Sequence, residues 1–159
     1  MSQEANPYLR DAVMTAGPEQ LQLMLYDGAI RFTRQGIKGI EEQKWEQCFN
    51  GFNRAQRIVL ELLNGLNYDV DRELCTRTAG IYNFIYRKLV EACTQRELLP
   101  ANDALGLLEF QRETWLLLME KLRGDRADAP QPQATPAEPA RSHDENLAGA
   151  GYGTLCFEG

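Results

Sequence analysis

The chain has 159 residues, of which 17 are Lys or Arg, 23 are Asp or Glu and 43% are hydrophobic. That is enough for one domain with its own core, and the net charge of −6 argues against a nucleic-acid binder, whose phosphate contacts need a basic face. The longest apolar run, residues 115–119, falls far short of the roughly 20 residues that span a bilayer. No basic start followed by an apolar stretch marks a secretion signal, so the expectation is a soluble, cytoplasmic protein without membrane insertion.

Twenty-one Leu against ten Ile plus Val tilt the composition towards helix. Residues 5–14 are expected to add a short helix or arm within an N-terminal segment of residues 1–17. Pro18 followed by Glu19 predicts a helix start, because proline fits the first helical position and an acid suits the positive end of the dipole. From there Leu21, Leu25, Gly28, Phe32 and Ile40 fall on one side at helical spacing, while Leu23, Ile30 and Ile37 populate a second. A surface helix needs one apolar stripe, and this one has two. A second helix is predicted over 45–66, with Phe52, Ala55, Val59, Leu62 and Leu66 as its stripe and Asn64-Gly65 and Asn67-Tyr68-Asp69 as the turn that follows.

A third helix is predicted over 71–96, with Leu74, Thr78, Ile81, Ile85 and Leu89 inward. Pro100 is expected to close that stretch and Asn102 or Asp103 to cap a fourth helix carrying Leu105, Leu108, Trp115, Leu118 and Leu122, which Gly124 stops. No alternating run is long enough for a strand. Between 124 and 146 there is no Leu, Ile, Val, Met, Phe, Tyr or Trp, and four of the seven prolines fall there. Such a stretch cannot offset its ordering entropy by burial. The predicted architecture is therefore all-α: an antiparallel four-helix bundle over 18–124, a short N-terminal helical arm over 1–17, and a disordered Pro/Ala-rich acidic tail over 125–159. Tyr152, Leu155 and Phe157 form a sticky tip on that tail.

The chemistry-bearing residues point away from turnover. Cys48, Cys75, Cys93 and Cys156 make no CxxC and no metal-ligand spacing; the first three read as small apolar fillers. The one histidine, His143, sits in the proline-rich tail, which leaves neither a phosphorelay histidine on a helix nor a Glu-x-x-His iron motif. There is no phosphate loop, HExxH or nucleophile elbow, and Gly149-Ala150-Gly151-Tyr152-Gly153 lacks the strand and helix that a dinucleotide loop requires. Arg31, Arg34, Arg54 and Arg57 support one alternative, a small all-helical metabolic enzyme that binds an anionic substrate, although their Gln and Asn neighbours suit a solvated face. No catalytic residue, metal or other cofactor is expected.

Residues 15–32, containing Leu25-Tyr26-Asp27-Gly28-Ala29-Ile30-Arg31-Phe32, resemble the signature of the FliS family, the flagellar export chaperones of flagellin. Arg54-Ala55-Gln56-Arg57-Ile58-Val59-Leu60-Glu61-Leu62 is similar to the family's second-helix pattern. The stretch 74–93 around Ile81-Tyr82-Asn83-Phe84-Ile85-Tyr86 is similar to its third, and 105–122 around Trp115 to its fourth. Asn6-Pro7-Tyr8 resembles its tyrosine-bearing arm, so the likeness covers about 6–123. Gly17 stands where the family usually has serine, which loses a side-chain cap, and Gly36 and Gly39 stand where alanine is common, those two each costing about 1 kcal/mol of helix propensity. The tail extends beyond the usual family length.

The resemblance implies a cytoplasmic chaperone that binds the disordered C-terminal region of flagellin, prevents its premature polymerisation and helps deliver it to the flagellar type III export apparatus, itself a possible second partner. It implies no nucleotide. A helix apolar on two sides supplies the physical means, one side for its own core and one for an amphipathic partner helix. On this reading Tyr8, Leu25, Ala29, Phe32, Ile58 and Leu62 line the flagellin groove or its covering arm. Tyr26 and Asp27 fix the arm, and Gly28 serves close helix packing. The expected oligomeric state is a monomer or a weak homodimer.

Overall fold

Pro18 and Glu19 open the first helix, with Gly17 as a cap that offers no side-chain hydrogen bond. The computed structural model describes Pro7, Tyr8 and residues 15–130. Four long helices follow one another: α1 (Pro18–Glu41), α2 (Trp45–Asn64), α3 (Arg72–Gln95) and α4 (Leu98–Asp128). There is no strand among the described residues. Each helix packs against the next, and α4 returns to α1, so the four close into a ring around one core. The chain divides into two units, Met1–Asp128 and Ala129–Gly159. The expected tail with His143, Cys156 and its Tyr152, Leu155 and Phe157 tip lies outside the described residues from 131 onward, and residues 9–14 of the arm lie outside them too. Pro7 and Tyr8 are helical.

Local chemistry sets both ends of α3. The Asp71 carboxylate accepts from the Leu74 N–H at 2.9 Å and caps α3. The end of α3 differs from expectation. Pro100 does not close it; Arg96 does, by adopting the left-handed region at φ 59° and returning its N–H to the Ala92 carbonyl. Its guanidinium then lies 4.4 Å above the Trp45 ring of α2. Pro100 is buried in the first turn of α4, where its missing N–H has no intrahelical partner to lose. Asn102 and Asp103 consequently sit inside the helix rather than at its cap. Gly124 does not stop α4, which runs on to Asp128; one glycine inside a helix costs only about 1 kcal/mol.

The core takes Tyr26, Ala29, Ile30 and Thr33 from α1, the predicted stripe of Phe52, Ala55, Val59 and Leu62 from α2, and Ile85 and Leu89 from α3. Enclosing each large side chain is worth about 1.5–3 kcal/mol. Thr33 is the buried polar exception and returns its hydroxyl to the Ala29 carbonyl at 2.8 Å. The Tyr26 and Tyr82 hydroxyls meet in a buried hydrogen bond, and the Gln22 amide donates to both, at 3.2 and 3.4 Å. Leu74 is not inward: it is 60% exposed, beside an 81% exposed Val70, so nothing packs over the first turn of α3. Leu118 and Leu122 are likewise exposed. The Trp115 indole N–H donates to the Glu19 carbonyl at the start of α1, so the turns of α4 beyond it have outrun most of the bundle. Cys75 is not a core filler; it is half-buried and its thiol donates to the Asn67 carbonyl, whereas Cys48 is buried and Cys93 packs on the core.

The glycines at 36 and 39 are explained by the seam between α1 and α2. A methyl group on Gly36 would lie 2.7 Å from the Phe52 ring, one on Gly39 would strike the backbone of Cys48, and one on Gly51 would strike the backbone of Gly36. The helix propensity lost at these positions is exchanged for backbone-to-backbone packing.

Candidate functional site

On the opposite half of that seam the two helices leave an open trough of about 270 Å³. Its floor forms where Gly28 carries no side chain and the Ile58 side chain of α2 comes across; a Cβ on Gly28 would lie 3.1 Å from Ile58 Cδ1. Leu21, Met24, Leu25 and Phe32 of α1 form the wall, and Asp27 and Arg31 stand on the rim. The trough continues past Leu21 and Leu25 towards Pro18, with Glu61 and Gly65 on the α2 side. The spacing of Leu21, Leu25, Gly28 and Phe32 is that of one helix face. The second apolar side of α1, which holds Tyr26, Ile30 and Thr33, is spent on the core. The Phe32 ring at the far end has two guanidinium neighbours, Arg31 at 4.9 Å and Arg54 at 5.3 Å.

The structure brings Leu25, Gly28, Phe32 and Ile58 together in the trough. Ala29 and Leu62 are corrected to core positions: they are 0% and 2% exposed and have no surface to offer a partner. Helical spacing placed them near the right face but could not say which neighbour covers it. Tyr8 is 83% exposed, so its ring does not fill the trough. The Tyr26 ring is 3% exposed and its hydroxyl meets Tyr82 and Gln22. Asp27 is bound by the Arg112 guanidinium of α4. Sequence reasoning passed over Met24, and over Tyr82 as the partner of Tyr26; each lies at a spacing of three or four from a recognised apolar residue.

A second depression, of about 660 Å³, lies between α1 and α4 and is lined by Arg31, Arg34 and Arg112 together with Asp27, Glu109 and Glu113. Its charges are largely paired within the protein: Arg34 binds Glu109 at 2.5 Å and Arg112 binds Asp27. The four arginines considered as an anion site do not converge there, since Arg54 lies across Phe32 from α2. Among the described residues no group of three His, Cys, Asp or Glu side chains is placed to hold a metal ion. No helix among them is long and apolar enough to cross a membrane. The perturbed acid–base groups are structural. Burial, then the hydrogen bond with Tyr26, pushes the Tyr82 phenol far above its usual range, and burial pushes the Cys48 and Cys93 thiols up.

The family model described as "Flagellar protein FliS" matches residues 1–122. This chain belongs to the FliS family. A FliS relative from Bacillus subtilis, named a flagellar secretion chaperone, is 32% identical over 124 residues, covering 76% of this chain and 92% of its own. Similarly named FliS proteins of Campylobacter jejuni and Salmonella typhimurium are each 26% identical, covering 69% and 71% of this chain and 86% and 84% of theirs. A crystal structure of a bacterial flagellar chaperone superposes with a TM-score of 0.62 over 72% of this chain and 97% of that one; at 18% identity the likeness is one of fold. Gly17 gives up a side-chain cap, while Gly36 and Gly39 tighten the α1–α2 seam.

Proposed function

We propose that this FliS-family protein is a cytoplasmic chaperone that holds the C-terminal region of flagellin as an amphipathic helix in the α1–α2 trough. Occupied in this way, that region is withheld from premature polymerisation until it is delivered to the flagellar type III export apparatus. The observation that carries the reading is the open apolar wall of Leu21, Met24, Leu25 and Phe32 over Gly28 and Ile58. Leu25, Phe32 and Ile58 pack on the core with part of their surface and leave the rest open in the trough, and an apolar helix face is the natural complement of that remainder. The names of the Bacillus, Campylobacter and Salmonella relatives agree with a secretion chaperone. Tyr8, exposed upstream of the bundle, is positioned in sequence to close over a bound helix.

Binding requires no nucleotide and no covalent step. Burial of two apolar faces drives it, offset by the cost of ordering a disordered segment. The test is calorimetric titration of the full chain with a peptide spanning the C-terminal helical region of the cognate flagellin. The expected result is a Kd of micromolar order or tighter, with a negative heat-capacity change. No heat at tens of micromolar would end the reading.

A further inference from the structure

We infer that the trough favours one direction for its helix, parallel to α1, with the carboxyl end of the bound helix beside Arg31 and Arg54. The inference rests on the reading of the trough as a helix-docking surface, and extends it from what binds to how it is oriented.

The two ends of the trough differ in charge. Near its start, Pro18, Leu21 and Leu25 face Glu61 and Gly65 of α2, so the fixed charge there is a carboxylate. At the other end the Phe32 ring is flanked by the guanidinium groups of Arg31 and Arg54, at 4.9 and 5.3 Å. From Leu21 to Phe32 the trough follows α1 for about 16 Å, or about three helical turns. A helix of that length therefore places its two termini at oppositely charged sites. Its amino end carries a partial positive charge and its carboxyl end a partial negative one. The helices that form the walls do not decide the matter themselves. Gly39 meets Cys48 and Gly28 meets Ile58, so α1 and α2 run antiparallel and their own dipoles oppose each other. Side-chain charge is left to choose the direction.

Arg31 is also available for the role. Its neighbours Arg34 and Arg112 are held by Glu109 and Asp27, whereas no carboxylate among the described residues lies within ion-pair distance of Arg31. It lines both the trough and the α1–α4 depression, and so stands on the crest over which one flank of a docked helix passes. The occupant it fits is an amphipathic helix with apolar residues at spacings of three and four and an acidic side chain in its last turn, where that carboxylate meets a guanidinium.

The test uses the full chain and synthetic flagellin peptides that carry a nitroxide at the amino or the carboxyl end of the docking helix. The carboxyl-end label is expected to broaden amide signals around Phe32 and Arg54, and the amino-end label those around Glu61 and Gly65; the reverse pattern, or equal broadening at both ends, overturns the inference. In parallel, Arg31→Glu is expected to weaken binding about three- to ten-fold at low salt, with the difference shrinking at high salt. A peptide with lysine in its last turn restores it. Arg31→Gln, the milder change, is expected to fall between the two. Unchanged affinity in Arg31→Glu removes the inference while leaving the trough reading intact; failure of the unmodified peptide to bind the native chain removes both.

Discussion

The backbone of Gly51 in α2 lies directly against that of Gly36 in α1, and a methyl group on Gly51 would strike the Gly36 nitrogen. Both groups that would have to move are main chain, so the contact has no cheap relief. Gly51→Ala is therefore expected to destabilise the bundle by about 1–3 kcal/mol despite its better helix propensity. Gly80 of α3 and Gly106 of α4 have open space where a Cβ would go; alanine there is expected to stabilise by about 0.5–1 kcal/mol. Thermal melts of the three variants check the opposite signs.

Tyr82 gives a pH-dependent prediction. Its folded-state phenol is pushed far above the ordinary value of about 10, first by burial and then by the hydrogen bond with Tyr26. A raised value means that the stabilisation is complete below pH about 10 and is lost as pH rises beyond it, when the unfolded chain ionises and the folded one resists. Tyr82→Phe is expected to cost about 1 kcal/mol at neutral pH, by taking a partner from the buried Tyr26 hydroxyl. It should also flatten the decline in stability above pH about 10. Denaturant midpoints measured from neutral to alkaline pH separate the two effects.

Trough and core residues should respond differently to substitution. Met24→Glu places a charge in the open wall and is expected to weaken flagellin-peptide binding about ten-fold or more, with little change in melting temperature. Leu62→Ala empties a core site that is 2% exposed; it is expected to cost about 2–5 kcal/mol of stability while the folded fraction still binds. Phe32 is shared between the two, since it lines the trough and packs on the core. Phe32→Glu should lower both. Calorimetric titration beside thermal melting of each variant provides the comparison.

Thiol reactivity should follow burial. Cys48 and Cys93 have their thiols pushed up by desolvation, so less thiolate is available at mildly alkaline pH. Cys75 lies near the start of α3, beside the exposed Leu74, with its thiol donating to the Asn67 carbonyl at the surface. Alkylation of the native chain at pH about 8, followed by peptide mass mapping, is expected to label Cys75 well before Cys48 or Cys93, and denaturant should abolish the order.

The helices and the interior of α2 were legible because Phe52, Ala55, Val59 and Leu62 repeat without interruption at spacings of three and four. The surplus apolar side of α1 was legible for the same reason. Periodicity names a face; it does not name what covers it. Ala29 and Leu62 therefore passed for groove residues until the neighbouring helices were in place. Pro100 misled because its effect depends on position: it breaks an interior turn but suits an opening one. The identities of Arg31 and Arg54 were visible, but their approach to Phe32 from two different helices exists only in three dimensions.

The chain has two tryptophans, and the fold stations them at opposite poles. Trp45 lies beneath Arg96 where α3 turns into α4, and Trp115 is tied by its indole N–H to Glu19 where α1 begins. Each pole thus has its own built-in fluorophore. Replacing either ring by phenylalanine would leave a chain whose emission reports loosening at one known pole, so that fraying near the trough entrance could be watched separately from fraying at the far cap without attaching any dye.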